Sequence, residues 1–172
     1  YQALKALDSG EKNVAIGYQS LDANAASDFN VAVGWTSLGG VNGSGTGGNT
    51  AVGHETGRDM TSGTYNTFMG YRTGRTTSTG HYNVAMGGDA AFAHTTASGS
   101  VILGYNAGGG ITTGNHNIAI GRQAMNNPVT GDNNIAIGAY AGDALTSGKK
   151  NVMMGTSAGG AITDSEGNTV IG

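Results

Sequence analysis

The string Asn-Val-Ala-Ile-Gly at Asn13–Gly17 returns nine more times in recognisable form. The copies start at Asn30, Asn49, Asn66, Asn83, Ser100, Asn117, Asn134, Asn151 and Asn168. The starts lie 17 residues apart except for one step of 19, where the glycine-rich stretch Gly39–Gly48 carries two extra residues. A fixed short period constrains the fold more than any local propensity does, because each unit must be one structural repeat that buries its apolar side against the next. Counted from its Asn, the unit has Asn at position 1 in nine of ten copies and Gly at position 5 in all ten. Position 8 is always small, from Ala3 and Ser20 to Ala141 and Ala158, and position 15 is often Gly, as at Gly63, Gly80 and Gly131.

Seventeen residues are too few for a helix pair, which takes roughly 33 to 47. With 33 glycines in 172 residues, helix is disfavoured further. Glycine at this level with a single proline and no triplet period is not collagen. Positions 2 to 4 hold Val, Ile, Thr, Ala and Met, which favour strand, and glycines at positions 5 and 15 supply the two turning places. The unit therefore reads as one coil with about two short strands. The whole chain reads as all-β, a parallel β-solenoid of ten 17-residue coils, one repeat domain over residues 1–172. Stacked at about 4.8 Å, ten coils make a rod of roughly 48 Å.

Stacking places identical residues above one another. Asn13, Asn30, Asn49, Asn66, Asn83, Asn117, Asn134, Asn151 and Asn168 then form an amide ladder. Gly17, Gly34, Gly53, Gly70, Gly87, Gly104, Gly121, Gly138, Gly155 and Gly172 form a column of turn glycines. Within the strand, positions 2 and 4 face one way and position 3 the other. Both sides are apolar, as in Ile118, Ala119 and Ile120, so both sides are expected to be buried. A thin coil has one interior. The second side calls for a cover, most simply another copy in a closed cyclic homo-oligomer. The sequence leaves open which side lines the coil.

Asn13–Ser20, Asn-Val-Ala-Ile-Gly-x-x-Ser, resembles the head repeats of YadA-like trimeric autotransporter adhesins. Asn66–Gly74 and Val101–Gly108 resemble related repeats of bacteriophage tail fibres. The resemblance covers essentially the whole chain. It implies a left-handed β-roll, trimerised along its length and displayed extracellularly on a bacterium or a virion, with a host glycan or protein as its target. The frame of the chain, entering at position 6 and leaving at position 5, reads as a slice of a longer array.

Chemical motifs are few. Gly43–Gly48 satisfies G-x-G-x-x-G but lacks the strand and helix that a dinucleotide site requires. Asn42-Gly43-Ser44 is a glycosylation pattern that matters only on a eukaryotic secretory route. The Gly-Lys pair within Gly142–Lys150 fails the phosphate-loop spacing. His54, His81, His94 and His116 fall in different columns and read as solvated loop residues, while Asp59, Asp89, Asp132 and Asp143 read as solubilising loop acids. No catalytic set, metal site or cofactor site is expected, so the chain reads as a non-enzyme. Cysteine is absent, and net charge is −3 with no basic cluster larger than Lys149-Lys150, so no nucleic acid partner is expected. No apolar run is long enough to insert in a membrane, and no signal peptide is evident.

One column stands out. Position 6 holds Tyr18, Trp35, Tyr71 and Tyr105, with Tyr1 and His54 in the same column. These aromatics are candidates for stacking on sugar rings, or for packing over the coil edge. The leading functional expectation is a structural shaft or head of an extracellular fibre. The alternatives are a self-assembling extracellular filament and a glycan-binding module using the aromatic column. An ice-binding solenoid is disfavoured, because the hydroxyls at positions 13 and 14 face opposite ways.

Overall fold

A computed structural model describes residues 2–41 and 47–172. Tyr1, the glycosylation pattern at Asn42 and most of the G-x-G-x-x-G motif lie outside them. Ten three-residue strands follow one another: β1 (Val14–Ile16), β2 (Val31–Val33), β3 (Thr50–Val52), β4 (Thr67–Met69), β5 (Val84–Met86), β6 (Val101–Leu103), β7 (Ile118–Ile120), β8 (Ile135–Ile137), β9 (Val152–Met154) and β10 (Thr169–Ile171). They pair in chain order, all parallel, as one sheet. Register is position on position: Val14 lies beside Val31, and Ile135 beside Val152. The chain is thus an all-β solenoid of about nine turns. At ordinary strand spacing the first and last strands stand about 43 Å apart.

Each coil carries one named strand, not two; outside the strands a single isolated bridge, Ile111 to Val129, is formed among the described residues. The reason lies in the backbone. Positions 7, 9 and 17 adopt left-handed conformations, for instance Gln19, Leu21 and Phe29 at φ 49°, 48° and 58°. An extended run cannot persist through such bends. Coils still hydrogen-bond to one another through these bends, as in Leu38 N–H to Thr56 C=O and Ala91 N–H to Ala107 C=O, both 3.0 Å.

The two glycine columns do different jobs. Position 5 needs glycine twice over: Gly138 sits at φ +136°, and a Cβ there would run into the carbonyl of Gly155 in the next coil. Position 15 turns without a left-handed residue. Its glycines serve close approach, since a Cβ on Gly148 would lie 2.5 Å from Ser165 O and 2.9 Å from a Leu145 methyl.

Position 3 lines the interior. Ala32, Ala51, Phe68, Ala85, Ile102, Ala119, Ala136 and Met153 are fully buried. Positions 9 and 12 join them, with Leu21, Leu38 and Met125 from the first and Val41, Met60, Ile111 and Leu145 from the second. The interior is narrow, so sizes compensate across it. Phe68 sits against Gly57 and Gly74, where an added Cβ would come within 3.3 and 2.7 Å of its ring. Met153 is likewise accommodated by Gly142 and Gly159. In some coils with Ala at position 3, position 9 carries the bulk, as in Ala32 with Leu38 and Ala119 with Met125; in the coils of Ala51 and Ala136, position 9 is Gly and the bulk comes from Phe68 and Met153 of the following coil. Close packing of this kind makes each coil sensitive to a single methylene.

The asparagines face inward and are fully used. Asn134 Oδ1 accepts the backbone N–H of Asn151 at 3.1 Å and its Nδ2 at 3.1 Å. Asn134 Nδ2 donates to Asn117 Oδ1 and, across the coil, to Gly148 C=O at 2.9 Å. Each amide thus ties a strand start both to the next coil and to its own far turn. Ser100 breaks the pattern: its Oγ accepts Asn117 N–H at 3.4 Å, and nothing there reaches Gly114 C=O.

A second ladder runs at position 16 and in the opposite sense. There the N–H of one coil is accepted by the side chain of the following coil. Glu11 N–H goes to Asp28, Thr64 N–H to His81 Nδ1, His81 N–H to Ser98, Ser98 N–H to Asn115, and Asn115 N–H to Asp132. Asp132 is therefore a structural acceptor as well as a solvated acid, and Asp59 and Asp89 are paired with Arg58 and Arg72.

Candidate functional site

With position 3 inside, strand alternation points positions 2 and 4 outward. They form two columns along the rod: Val14, Val31, Thr50, Thr67, Val84, Val101, Ile118, Ile135, Val152 and Thr169 in one, apolar but for its three threonines, and Ile16, Val33, Val52, Met69, Met86, Leu103, Ile120, Ile137, Met154 and Ile171 in the other, apolar throughout. Ile16 is 59 % exposed and Met69 43 %. An exposed two-column surface of β-branched and long apolar side chains on a regular sheet is a sticky feature.

The borders of this face are aromatic. On one side, position 6 stacks Tyr18, Trp35, His54 and Tyr71, with ring centroids 5.8, 4.8 and 5.4 Å apart and planes within 27° of parallel. Tyr105 continues the column beyond Gly88 and is 59 % exposed. On the other side, position 17 carries Phe29, Tyr65 and Tyr82, all exposed, the two tyrosines stacked at 5.5 Å and 4°. This second aromatic column was not singled out from the sequence. Its signal, Phe, Tyr and Tyr immediately before the Asn of their units, is visible once the units are aligned.

Tyr18, Trp35, His54 and Tyr71 lie face to face with one another. The faces between these four rings are taken up within the column, whereas Tyr105, beyond Gly88, stacks on no other ring among the described residues. The stacked part, Tyr18 to Tyr71, forms a rigid rim to the face.

The charge pattern sharpens the picture. Among the described residues, positions 17, 2, 4 and 6 hold no Asp or Glu; their charged side chains are Lys12, Lys150 and Arg122. The acids sit elsewhere, as Glu55 does between Arg58 and Arg75 at 3.1 Å each.

The histidines divide by environment. His54 belongs to the aromatic stack, His81 accepts from Thr64, and His116 leans over Gly99. His94 is fully buried, not a solvated loop residue: it occupies position 12, a core column. Burial alone pushes its pKa down to about 4. Among the described residues no three His, Cys, Asp or Glu side chains are grouped to hold a metal ion, and no helix is long and apolar enough to cross a membrane.

These observations define the class: a repeat β-solenoid with one uncovered apolar face between two aromatic rims. No protein-family model, curated protein or solved structure matches the chain.

Proposed function

We propose that this chain is a structural segment of an extracellular trimeric fibre, the shaft or head of a phage tail fibre or bacterial surface adhesin, that holds an attachment surface away from the particle or cell. Three parallel copies, each a left-handed β-roll, pack their position 2 and 4 columns around a common axis. The mechanism is stiffness, not catalysis. Every coil is bonded to the next through backbone and side-chain ladders, so stability accumulates coil by coil.

The observation that carries this reading is the largely apolar outward face, whose position 4 column is apolar in all ten strands. With its rims it measures about 20 Å by 43 Å, or roughly 860 Å² per copy. That is close to the ~800 Å² each partner contributes to a stable protein interface. The absence of acids from the face among the described residues adds to it, since the cores of such interfaces are depleted in charge.

The test is the solution mass of the 172-residue chain by light scattering. The expectation is about 51 kDa, three times 17.1 kDa. Ile120→Lys, which puts an ammonium in the middle of the face, is expected to give single chains or insoluble material. A parent chain that stays a soluble monomer at micromolar concentration would refute the reading.

A further inference from the structure

We propose that the coil carrying His94 is an acid-labile joint in the rod, which opens locally when the medium is acidified while the coils beyond its neighbours stay closed. The inference does not depend on the assembly proposed above, because it concerns the inside of one coil.

His94 stands at position 12, with Thr77 at the same position in the preceding coil and Ile111 in the following one, all fully buried. Neither ring nitrogen of His94 has a hydrogen-bond partner, and Thr77 Oγ1 has none either. Elsewhere this column is filled by Val41, Met60, Ile111 and Leu145, which need no partner, and by Asn24, whose amide is bonded to Ser27. The side chain is thus tolerated as a neutral, shape-filling ring and nothing more.

No charged group is placed to receive a proton or to hold one. The interior positions 1, 3, 8, 9, 12 and 15 contain no Asp, Glu, Lys or Arg among the described residues. The buried residues of the His94 coil itself are Asn83, Ala85, Ala90, Ala91 and Ala97. The nearby charges, Arg72, Arg75 and Asp89, gather outside the coil around Phe92. His81, the nearest other imidazole along the chain, is turned to Thr64 in the position 16 ladder. A protonated His94 would carry a buried charge with no counter-ion and no acceptor, a state that proteins avoid by opening to water.

The sign of the effect follows from linkage. The closed coil holds the imidazole neutral down to about pH 4, whereas an opened coil binds the proton near pH 6.5. Between these values acid favours opening by roughly tenfold per pH unit. From pH 7 to pH 4.5 the open population is expected to rise about 60-fold. A solenoid coil touches only its two neighbours, so the opening stays local.

Hydrogen exchange followed by mass spectrometry on the full chain, at pH 7 and pH 4.5 and corrected for intrinsic exchange rates, tests this. The expected result is a loss of protection of tens of fold in the coils from Thr77 to Ile111, with little change around Asn151. His94→Leu and His94→Met, which copy residues already present in the column, should both abolish the local loss. Equal acid sensitivity along the whole rod, the same local loss in both variants, or no loss in the parent chain would each overturn the proposal.

Discussion

Ser100→Asn should stabilise the protein. In the regular ladder an asparagine gives its Nδ2 protons to the preceding Oδ1 and to the position 15 carbonyl, and its Oδ1 receives two donors from the following coil. At Ser100 only two weaker links survive: its own N–H to Asn83 Oδ1 at 3.0 Å, and Asn117 N–H to its Oγ at 3.4 Å. The substitution adds three hydrogen bonds, to Asn83 Oδ1, to Gly114 C=O and from Asn117 Nδ2, and tightens a fourth. At about 1 kcal/mol net for each bond, less roughly 1 kcal/mol for ordering the longer side chain, the gain is about 2 kcal/mol. For a chain of this size that raises Tm by about 4–8 °C. Differential scanning calorimetry of the parent and the variant measures it directly. Asn134→Ser, which copies the defect into an intact rung, should lower Tm by a comparable amount. A Ser100→Asn protein that melts at or below the parent temperature would refute the idea that the amide ladder stabilises through satisfied hydrogen bonds.

Gly138→Ala combines a forbidden φ of +136° with a Cβ driven into Gly155; it should cost about 3–5 kcal/mol and show as loss of soluble, folded protein by circular dichroism. Gly74→Ala brings a methyl to 2.7 Å from the Phe68 ring and should cost about 1–3 kcal/mol. Adding Phe68→Ala recreates the Ala85 and Ala91 pairing of the next coil, so a double-mutant cycle in denaturant should show a coupling above about 0.5 kcal/mol. Additive costs would sink the size-compensation account. Acid should weaken the protein through His94. Its folded pKa lies below its unfolded one, so its contribution is complete above about pH 6.5 and is lost as pH falls toward 4. Over that window the loss is about 3 kcal/mol, and a denaturant midpoint measured against pH should flatten in His94→Leu.

Much of the architecture was readable because the period forces it. Once Asn13 and Asn30 must stack, Val14 must lie beside Val31, and the sheet order follows. Which side of the strand lines the coil was not readable from polarity, because Ala119 and Ile120 are both apolar. Size carries that information: the inward column is mostly alanine, which suits a narrow interior, and the outward columns are β-branched or long. His94 was misplaced because position 12 looks mixed in any one stretch; only the column, with Val41, Met60, Ile111 and Leu145, marks it as core. The left-handed residues at positions 7, 9 and 17 gave no local warning, since Leu21, Phe29 and Tyr140 are poor residues for that conformation. Their neighbours in the stack hold them there. Of the candidate site, the aromatic column at position 6 was visible in sequence. That Tyr18, Trp35, His54 and Tyr71 lie against one another while Tyr105 stands apart depends on spacing that only the structure supplies.

The two polar ladders run in opposite senses, and this bears on how the chain is made. At position 1 a finished coil already presents an amide oxygen to whichever coil comes after it. At position 16 the newcomer brings the acceptor and the finished coil supplies the N–H. Where both ladders are present, an added coil is therefore aligned at two points, both about one period away in sequence. A slip of one residue would set a Val, Ile or Thr where the asparagine belongs, costing one Oδ1 its side-chain donor and one position 16 N–H its acceptor. Loop closure is thus the same short task at every step, so lengthening the rod multiplies the number of steps without making any one of them harder. Ser100 is the rung where that proofreading is weakest.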